Sequence, residues 1–597
     1  MTQTLRWSGW VLMIGFCLVV AAIVCGCQRA SEPAKSEAAE ANGNLVLING
    51  KILTVDANDS IVQAIAINNG KIVAVGTNVD VQAKAPKGAR VINLHGRIAT
   101  PGLIDSHGHF ADGGVAELYA VSLSDAVSID DLLRRVRERA ATLTPGEWLT
   151  GNGWDEGKVA EHRYPLASDL DKAAPSNPVW LLHTTGHYGA ANTAALKLAR
   201  IAAATKNPAA GTIDRDAHGT PTGVLKESAM DLVTKLIPPA SAEQERNGIL
   251  HSIEGLHSEG MTAVKDASIA PHTWDAYSKL LADGKLTVRV FTLWYAGTTM
   301  DSARETLSHL SALPRPPQAA GDARLFAGGA KMYMDGSGGA RTAWVYQDWH
   351  KNSKDIDKGN KGYPAVDPEI YKQQVRLFHQ AGIHIGTHAV GDRAIDTVVD
   401  TYAAVLKEKP TEGLRHSIIH ANIPTEHAIE TMATLQKEYD AGYPELSAPF
   451  MWWIGDTYAS SFGPERAARL IPLKTYTAKG IRWAGSSDYF VTPYAARYGI
   501  WASVVRATLK GVYGPHPFGV AESVDVRAAL RSYTIWAAHQ LFLDDKVGSI
   551  EPGKRADIAV WDRDLYSVPA ADLKDMKCEM TIFDGQVVYK SSTTPIQ

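Results

Sequence analysis

The chain of 597 residues carries a net charge of only −4, with 45% hydrophobic and 21% charged residues. That length allows several domains or one large barrel with attachments, and the near-neutral balance removes the basic bias of a nucleic-acid partner, so nucleic-acid binding is excluded early. Three of the four cysteines lie before residue 28, which leaves Cys578 alone in the body and no disulfide framework.

In chain order, Arg6 precedes the apolar run WVLMIGFCLVVAAIV, which ends in Val24-Cys25-Gly26-Cys27. The run is short for a span of about 20 residues and is expected to be a secretory signal over 1–26, with an uncleaved membrane anchor as the alternative. Small residues before a cysteine resemble the bacterial lipobox, which implies cleavage before Cys27, acylation of its thiol and an exported, membrane-anchored protein. Gln28, rather than aspartate, follows that cysteine, which in a Gram-negative host implies the outer membrane. Residues 27–43, with the Ala-, Glu- and Ser-rich stretch QRASEPAKSEAAEANG, lack an apolar period and are expected to be a flexible tether.

From Asn44 the texture changes to NLVLINGKILTVD and SIVQAIAINNGKIVAVG, short β-branched runs separated by Asn-Gly, a hairpin signal. The far end, KVGSIEPGKRADIAVWD and EMTIFDGQVVYK, repeats that style. Between them, MTAVKDA, LTVRVFTLW, AGGAKMYMDG, IHIGTHAV, RHSIIHA and IRWAGSSD alternate with helical segments such as IDDLLRRVRERAATL, the pattern of parallel βαβ units. The predicted fold is α/β: a (β/α)₈ TIM barrel over 101–543 that interrupts one small β-sandwich, whose halves are residues 44–100 and 544–597. Its functional residues are expected on the loops after the strands' C-terminal ends.

His107 and His109 end the run TPGLIDSHGH, where residues two apart share a face of a strand and can converge on one ion; taken alone, the pair is weak evidence and reads more readily as surface histidines at a strand end. His388, His420 and Asp488 also fall late in strand-like runs. Each by itself suits a satisfied polar group or a helix cap. Lys331 sits among apolar residues in a predicted buried strand, either paired with a carboxylate such as Asp335 or reacted with carbon dioxide to a carbamate that bridges two cations.

Taken in order, PGLIDSHGH, GNGWDEG, KMYMDGSGGARTA, HAVGDRAID, HANIP and GSSDYFVTP resemble the metal-dependent amidohydrolase superfamily, and within it the amidohydrolase family 3 branch that contains N-substituted formamide deformylases. The resemblance covers nearly the whole body of the chain. It implies metal ligands at His107, His109, Lys331 (carboxylated), His388, His420 and Asp488, and pocket or substrate contacts at Trp154, Asp155, His187 and Asn192. Two departures touch the substrate side: Ala421-Asn422 stands where the branch usually has Ala-Gln, and Tyr489-Phe490-Val491 precedes Thr492-Pro493.

The expected cofactors are two divalent ions, with histidine ligands favouring zinc and with iron and manganese also open. The expected reaction is hydrolysis of a C–N bond in an amide, N-substituted formamide or cyclic amide by a metal-bound hydroxide, with Asp488 as base and then acid, and with His187 or Arg341 as a donor to the oxyanion. Trp452 and Trp453 in APFMWWIGD are expected on a pocket wall, a lid or a subunit contact, which leaves a homo-oligomer open. The rival readings are a binding or regulatory lipoprotein without turnover and a hydrolase of an ester or lactone; the filled ligand set argues against the first.

Overall fold

The computed structural model describes residues 43–315, 324–349, 359–511 and 519–592. The expected signal, Cys27 and the tether up to residue 42 lie outside these residues. No helix among those described is long and apolar enough to cross a membrane.

Residues Gly43–Gln597 form one compact unit. At its centre runs an eight-stranded sheet: β1 (Leu103–Gly108), β2 (Met261–Ile269), β3 (Arg289–Tyr295), β4 (Leu325–Tyr333), β5 (His384–Ala389), β6 (Ser417–His420), β7 (Tyr443–Leu446) and β8 (Ala484–Gly485). Each strand pairs in parallel with the next, as the alternating pattern requires. β7 has no counterpart among the strands expected from the sequence, because Pro444 lies inside it and proline argues against a central strand.

The helices between strands are amphipathic. Asp392–Glu408, for example, buries Ile395, Val398, Val399, Tyr402, Val405 and Leu406, a stripe at helical spacing. The sheet is a nearly closed barrel, and side chains lace the gap between β1 and β8. Ser106 Oγ donates to Gly485 O (3.0 Å), Ser487 N donates to the Asp105 carboxylate (3.2 Å), and Asp488 N donates to His107 O (2.8 Å).

The two ends of the chain meet in β structure. A four-stranded sheet holds Leu45–Ile48, Ala64–Asn68, Lys71–Gly76 and Arg90–Asn93. A six-stranded sheet joins Lys51–Leu53, Ile61–Val62 and Ile98–Pro101 to Ile558–Trp561, Cys578–Phe583 and Gln586–Lys590, with Ile98–Pro101 antiparallel to Ile558–Trp561. Leu47, Ile65 and Ile92 of the first sheet share an apolar cluster with Ile52, Ile558 and Ile582 of the second.

Asn69-Gly70 and Asp584-Gly585, all at positive φ, close hairpins as expected. Asn49-Gly50 does not. There the chain leaves one sheet for the other, and a Cβ at Gly50 would lie 2.6 Å from Leu94 Cδ1 and push that methyl aside.

A second correction concerns residues 121–227, inserted between β1 and β2. They form a separate six-stranded sheet in the order Gly211–Arg215, Pro221–Glu227, Tyr188–Ala191, Val179–His183, Leu149–Trp154, Val121–Ser122. The helix Ile129–Ala140, capped by Ser128, packs Ile129, Leu132, Leu133 and Val136 into this insertion's own cluster rather than onto the barrel.

One buried ion pair ties the terminal sheet to the barrel. Arg289, the first residue of β3, grips Asp557 with Nε at 2.8 Å and Nη2 at 2.9 Å, and both side chains are 1% exposed. Breaking such a pair strands the surviving charge, which costs about 3–5 kcal/mol, whereas an apolar replacement of both partners is often close to neutral. Arg289→Met is therefore expected to lower the thermal unfolding midpoint, and Arg289→Met/Asp557→Leu to recover most of the loss. Equal midpoints for the single variant and the unaltered chain would remove the pair from this role.

Candidate metal centre

Six of the residues singled out in the sequence come from β1, β4, β5, β6 and the turn after β8, and they line one cavity of about 420 Å³ at the strands' C-terminal ends. His107 lies in β1. His109 follows as the first residue before the helix Phe110–Tyr119, whose start is held by Asp266 through Phe110 N (2.8 Å) and Ala111 N (3.2 Å). Gly108 between the histidines serves this turn, because a Cβ would meet the Phe110 ring at 2.6 Å.

Asp488 is the hub. Its Oδ1 lies 3.3 Å from His107 Nε2 and 3.4 Å from His109 Nε2, and its Oδ2 lies 3.9 Å from His420 Nε2. Both His420 (φ 73°) and Asp488 (φ 56°) adopt the left-handed region as non-glycine residues, a strain of about 1–3 kcal/mol each of the kind found at functional sites. Burial opposes charge on Asp488, but His420, His107 and His109 outweigh it whenever they share a proton with the carboxylate, and then hold it well below the usual range. Burial keeps His107, His388 and His420 neutral, with lone pairs available.

The hydrogen bonds set two tautomers in the way metal-ligating histidines need. His109 Nδ1–H donates to Ala267 O (3.0 Å), so that in the neutral ring the lone pair falls on the Nε2 that faces Asp488. His388 Nε2–H donates to Gly336 O (3.1 Å), which puts its lone pair on Nδ1. His420 Nδ1 is buried without a hydrogen-bond partner. Ligand atoms of His107, His420 and Asp488 all lie within 4.8 Å of one another, a spacing that suits a shared ion.

Lys331 is fully buried in β4, with Nζ 3.1 Å from His107 Nε2 and 4.7 Å from the Tyr333 ring centre. Burial pushes its ammonium down to about 7. No carboxylate among the described residues lies within ion-pair distance of it. Asp335, the partner considered from sequence, instead accepts Val390 N, Gly391 N and Trp344 N and sits 3.7 Å from His388 Nε2.

The insertion supplies one wall. His187 lines the cavity with its ring 5.1 Å from that of His388, and its Nδ1 meets both oxygens of Glu227 at 3.0 and 3.2 Å. Burial alone would lower the His187 pKa, but the Glu227 carboxylate outweighs it and raises it. Thr342 donates to the same carboxylate. Glu227 escaped the sequence reading because VLKESAM carries no metal or catalytic spacing.

Six other expected residues do not reach the cavity wall. Trp154 is 1% exposed, donates Nε1–H to Leu181 O and packs against Tyr164, His183 and Tyr188. Asp155 accepts Gly157 N and Thr457 Oγ1. Asn192 caps a helix through Ala195 N and ties Val179 N to Ala174 O and Asn177 O. Trp453 lies beneath Lys158 Nζ at 3.6 Å, and Trp452 packs on Tyr498 and Trp501. From their stretch it is Phe450 that approaches the site, stacking on His420 at 5.4 Å. Arg341 sits in the loop after β4 with its carbonyl accepting Asn360 Nδ2, off the cavity wall. Of the expected mouth residues, Phe490 and Val491 line the cavity, whereas Tyr489 packs against Phe110.

The profile of the amidohydrolase family matches residues 90–589. N-substituted formamide deformylase of Arthrobacter pascens is 29% identical over 562 residues, covering 92% of this chain and 98% of that protein. Protein LONG AFTER FAR-RED 3 of Arabidopsis thaliana is 30% identical over 545 residues, covering 89% and 90%. The fold is shared with the crystal structure of an uncharacterized metal-dependent hydrolase from Pyrococcus horikoshii OT3, at a TM-score of 0.68 and 24% identity over 88% of this chain and 99% of that one. A family match across most of the chain, on a barrel whose strand ends gather histidines around one carboxylate, places this protein in the amidohydrolase family as a hydrolase.

Proposed function

We propose that the chain hydrolyses a C–N bond in an N-substituted formamide, another neutral amide or a cyclic amide, and that His107, His109, Lys331, His388, His420 and Asp488 hold two divalent ions, zinc by preference. The observation that carries this reading is the convergence of three neutral histidines and ionised Asp488 on one cavity, with ring nitrogens oriented by Ala267 O and Gly336 O. Lys331 supports a carbamate: an ammonium buried without a carboxylate partner is costly, while a carbamate at Nζ adds the negative charge that two ions need. Bound divalent ions would supply Lewis acidity toward a carbonyl and acidify water.

The chain's own groups then handle protons. Asp488, held ionised beside His107 and His109, takes a proton from the attacking water and returns it to the departing nitrogen. With Nδ1 of His187 occupied by Glu227, Nε2 is the nitrogen left to donate to the carbonyl oxygen as charge develops there. Arg341 lies off the wall, so His187 carries that role of the two. The cavity wall includes Asp112 and Asp231, and Lys331 is the one lysine or arginine among the described residues that line it. Beyond the ions the described wall offers a substrate carboxylate no arginine or further lysine to pair with, and Tyr295, Tyr333, Phe490 and Met230 favour an apolar substituent. The relative named as an N-substituted formamide deformylase fits this preference. Export and a lipid anchor at Cys27 belong to the same proposal, supported by the apolar run and the residues before that cysteine.

Elemental analysis of the purified body is expected to give close to two ions per chain, and Lys331→Ala to lose at least one. A wild type that holds one ion tightly and is indifferent to Lys331→Ala would sink the two-ion arrangement. In a screen over N-substituted formamides, cyclic amides, lactones and N-acyl amino acids, neutral amides are expected to turn over best, and Asp488→Asn to lower kcat by about 10²–10⁴-fold. Unchanged turnover in Asp488→Asn takes this carboxylate out of the mechanism. Cys27→Ser is expected to move the protein from the membrane fraction to the soluble exported fraction; continued sedimentation with membranes would contradict acylation.

A further inference from the structure

Directly beneath the metal centre the barrel holds a second set of charges that the proposed chemistry does not use. Lys265 projects from β2 and Glu445 from β7, and Lys265 Nζ meets Glu445 Oε1 at 2.5 Å across the barrel interior. Neither side chain has any exposed surface. The other carboxylate oxygen, Glu445 Oε2, has no hydrogen-bond partner, and neither does His107 Nδ1. These two orphaned atoms face each other at 3.9 Å, and His107 is itself without exposed surface.

A donor and an acceptor left unmet at such a distance are rare in a packed interior, where each costs about 1–3 kcal/mol. Here each is the other's natural partner, since closing by about 1 Å brings them into N–H···O range. A proton on His107 Nδ1, directed at Glu445, leaves the lone pair on Nε2. That is the nitrogen facing Asp488 and Lys331, on the cavity side.

We infer that Glu445 is a positioning residue for His107: with Oε1 fixed by Lys265, its Oε2 accepts Nδ1–H and holds the ring in the tautomer whose Nε2 can ligate a metal ion. Lys265 serves this arrangement by neutralising the carboxylate and choosing which oxygen is left for the histidine. The pair thus does for His107 what Ala267 O does for His109 and Gly336 O for His388. The inference rests on the metal-centre reading above.

The chemistry of glutamine makes a discriminating test. In Glu445→Gln, Lys265 still requires an acceptor and captures the amide oxygen, so the NH₂ faces His107. That NH₂ demands a lone pair on Nδ1 and drives the proton to Nε2, the wrong nitrogen for a ligand. In Lys265→Met/Glu445→Gln the amide is free to turn its oxygen to His107 and restore the tautomer. Zinc affinity of the metal-stripped full-length protein, measured by competition with a chromophoric chelator, is expected to fall about tenfold to a hundredfold in Glu445→Gln. The double variant is expected to recover most of that loss, and a purely structural role for the pair would not produce such recovery.

Affinity within threefold of wild type in Glu445→Gln, or an equally weak double variant, overturns the inference. Should Glu445→Gln fail to fold, the comparison becomes Lys265→Met/Glu445→Gln against Lys265→Met/Glu445→Leu, which differ in offering His107 an acceptor. The glutamine form is expected to hold zinc about tenfold tighter, and equal affinities overturn the inference. A wild type that binds no zinc overturns the metal-centre reading itself, an outcome distinct from any difference among the variants.

Discussion

Closure of the barrel between β1 and β8 is the constraint on which the site depends. The sheet's end strands are not joined by a regular ladder; the gap is bridged by Ser106 to Gly485, Ser487 to Asp105 and Asp488 to His107. The last of these is also the joint of the site, since the backbone bond that binds Asp488 N to His107 O brings the Asp488 carboxylate within 3.3 Å of the His107 ring. One short strand, Ala484–Gly485, therefore both finishes the barrel and delivers its central carboxylate. The left-handed φ of Asp488 follows from this double duty, because the chain must turn sharply inward as it leaves the strand.

Burial of charge is the second consequence of that geometry. Groups gathered at the centre of a barrel lose their hydration, and each must find a counter-charge, a hydrogen bond or a shifted proton. Asp488 is sustained by its histidines, Asp335 by three backbone N–H groups, Glu445 by Lys265, and Glu227 by His187 and Thr342. Lys331 is the exception, with a neutral imidazole and an aromatic face as its nearest company. Against neighbours that each have a counter-charge or a hydrogen bond, the lysine stands out, and the proposed carbamate is one way to resolve its burial.

How far the sequence disclosed this follows from the reach of each signal. Strand ends marked by histidine or aspartate were legible because barrel chemistry collects at the C-terminal ends, and His107, His109, His388, His420 and Asp488 do converge. β7 was hidden by Pro444, and the insertion's separate sheet was hidden because its short strands look like any others in a βαβ chain. Trp154, Asp155 and Asn192 drew attention as members of unusual motifs, yet such motifs also arise from packing: Trp154 and Asn192 hold the insertion together from inside, and Asp155 ties it to Thr457. Lys265 was within reach. The reasoning that singled out Lys331, an ammonium among apolar residues in a buried strand, applies equally to MTAVKDA, but its partner Glu445 lay in the strand that proline concealed.

That insertion contributes one wall of the cavity that the barrel opens. The barrel's own strands furnish the groups around Asp488, whereas His187, Glu227, Met230 and Asp231 come from the insertion or the residues just after it. The floor around Asp488 and the wall at His187 are thus built by different parts of the chain, and they meet where the His187 and His388 rings lie 5.1 Å apart. Because Glu227 is held by Thr342 from the loop after β4, the His187 ring it carries is referenced to the barrel rather than left to follow the insertion. Glu227 and Thr342 also crowd Gly336, whose carbonyl accepts His388 Nε2–H, so the joint between insertion and barrel touches both rings.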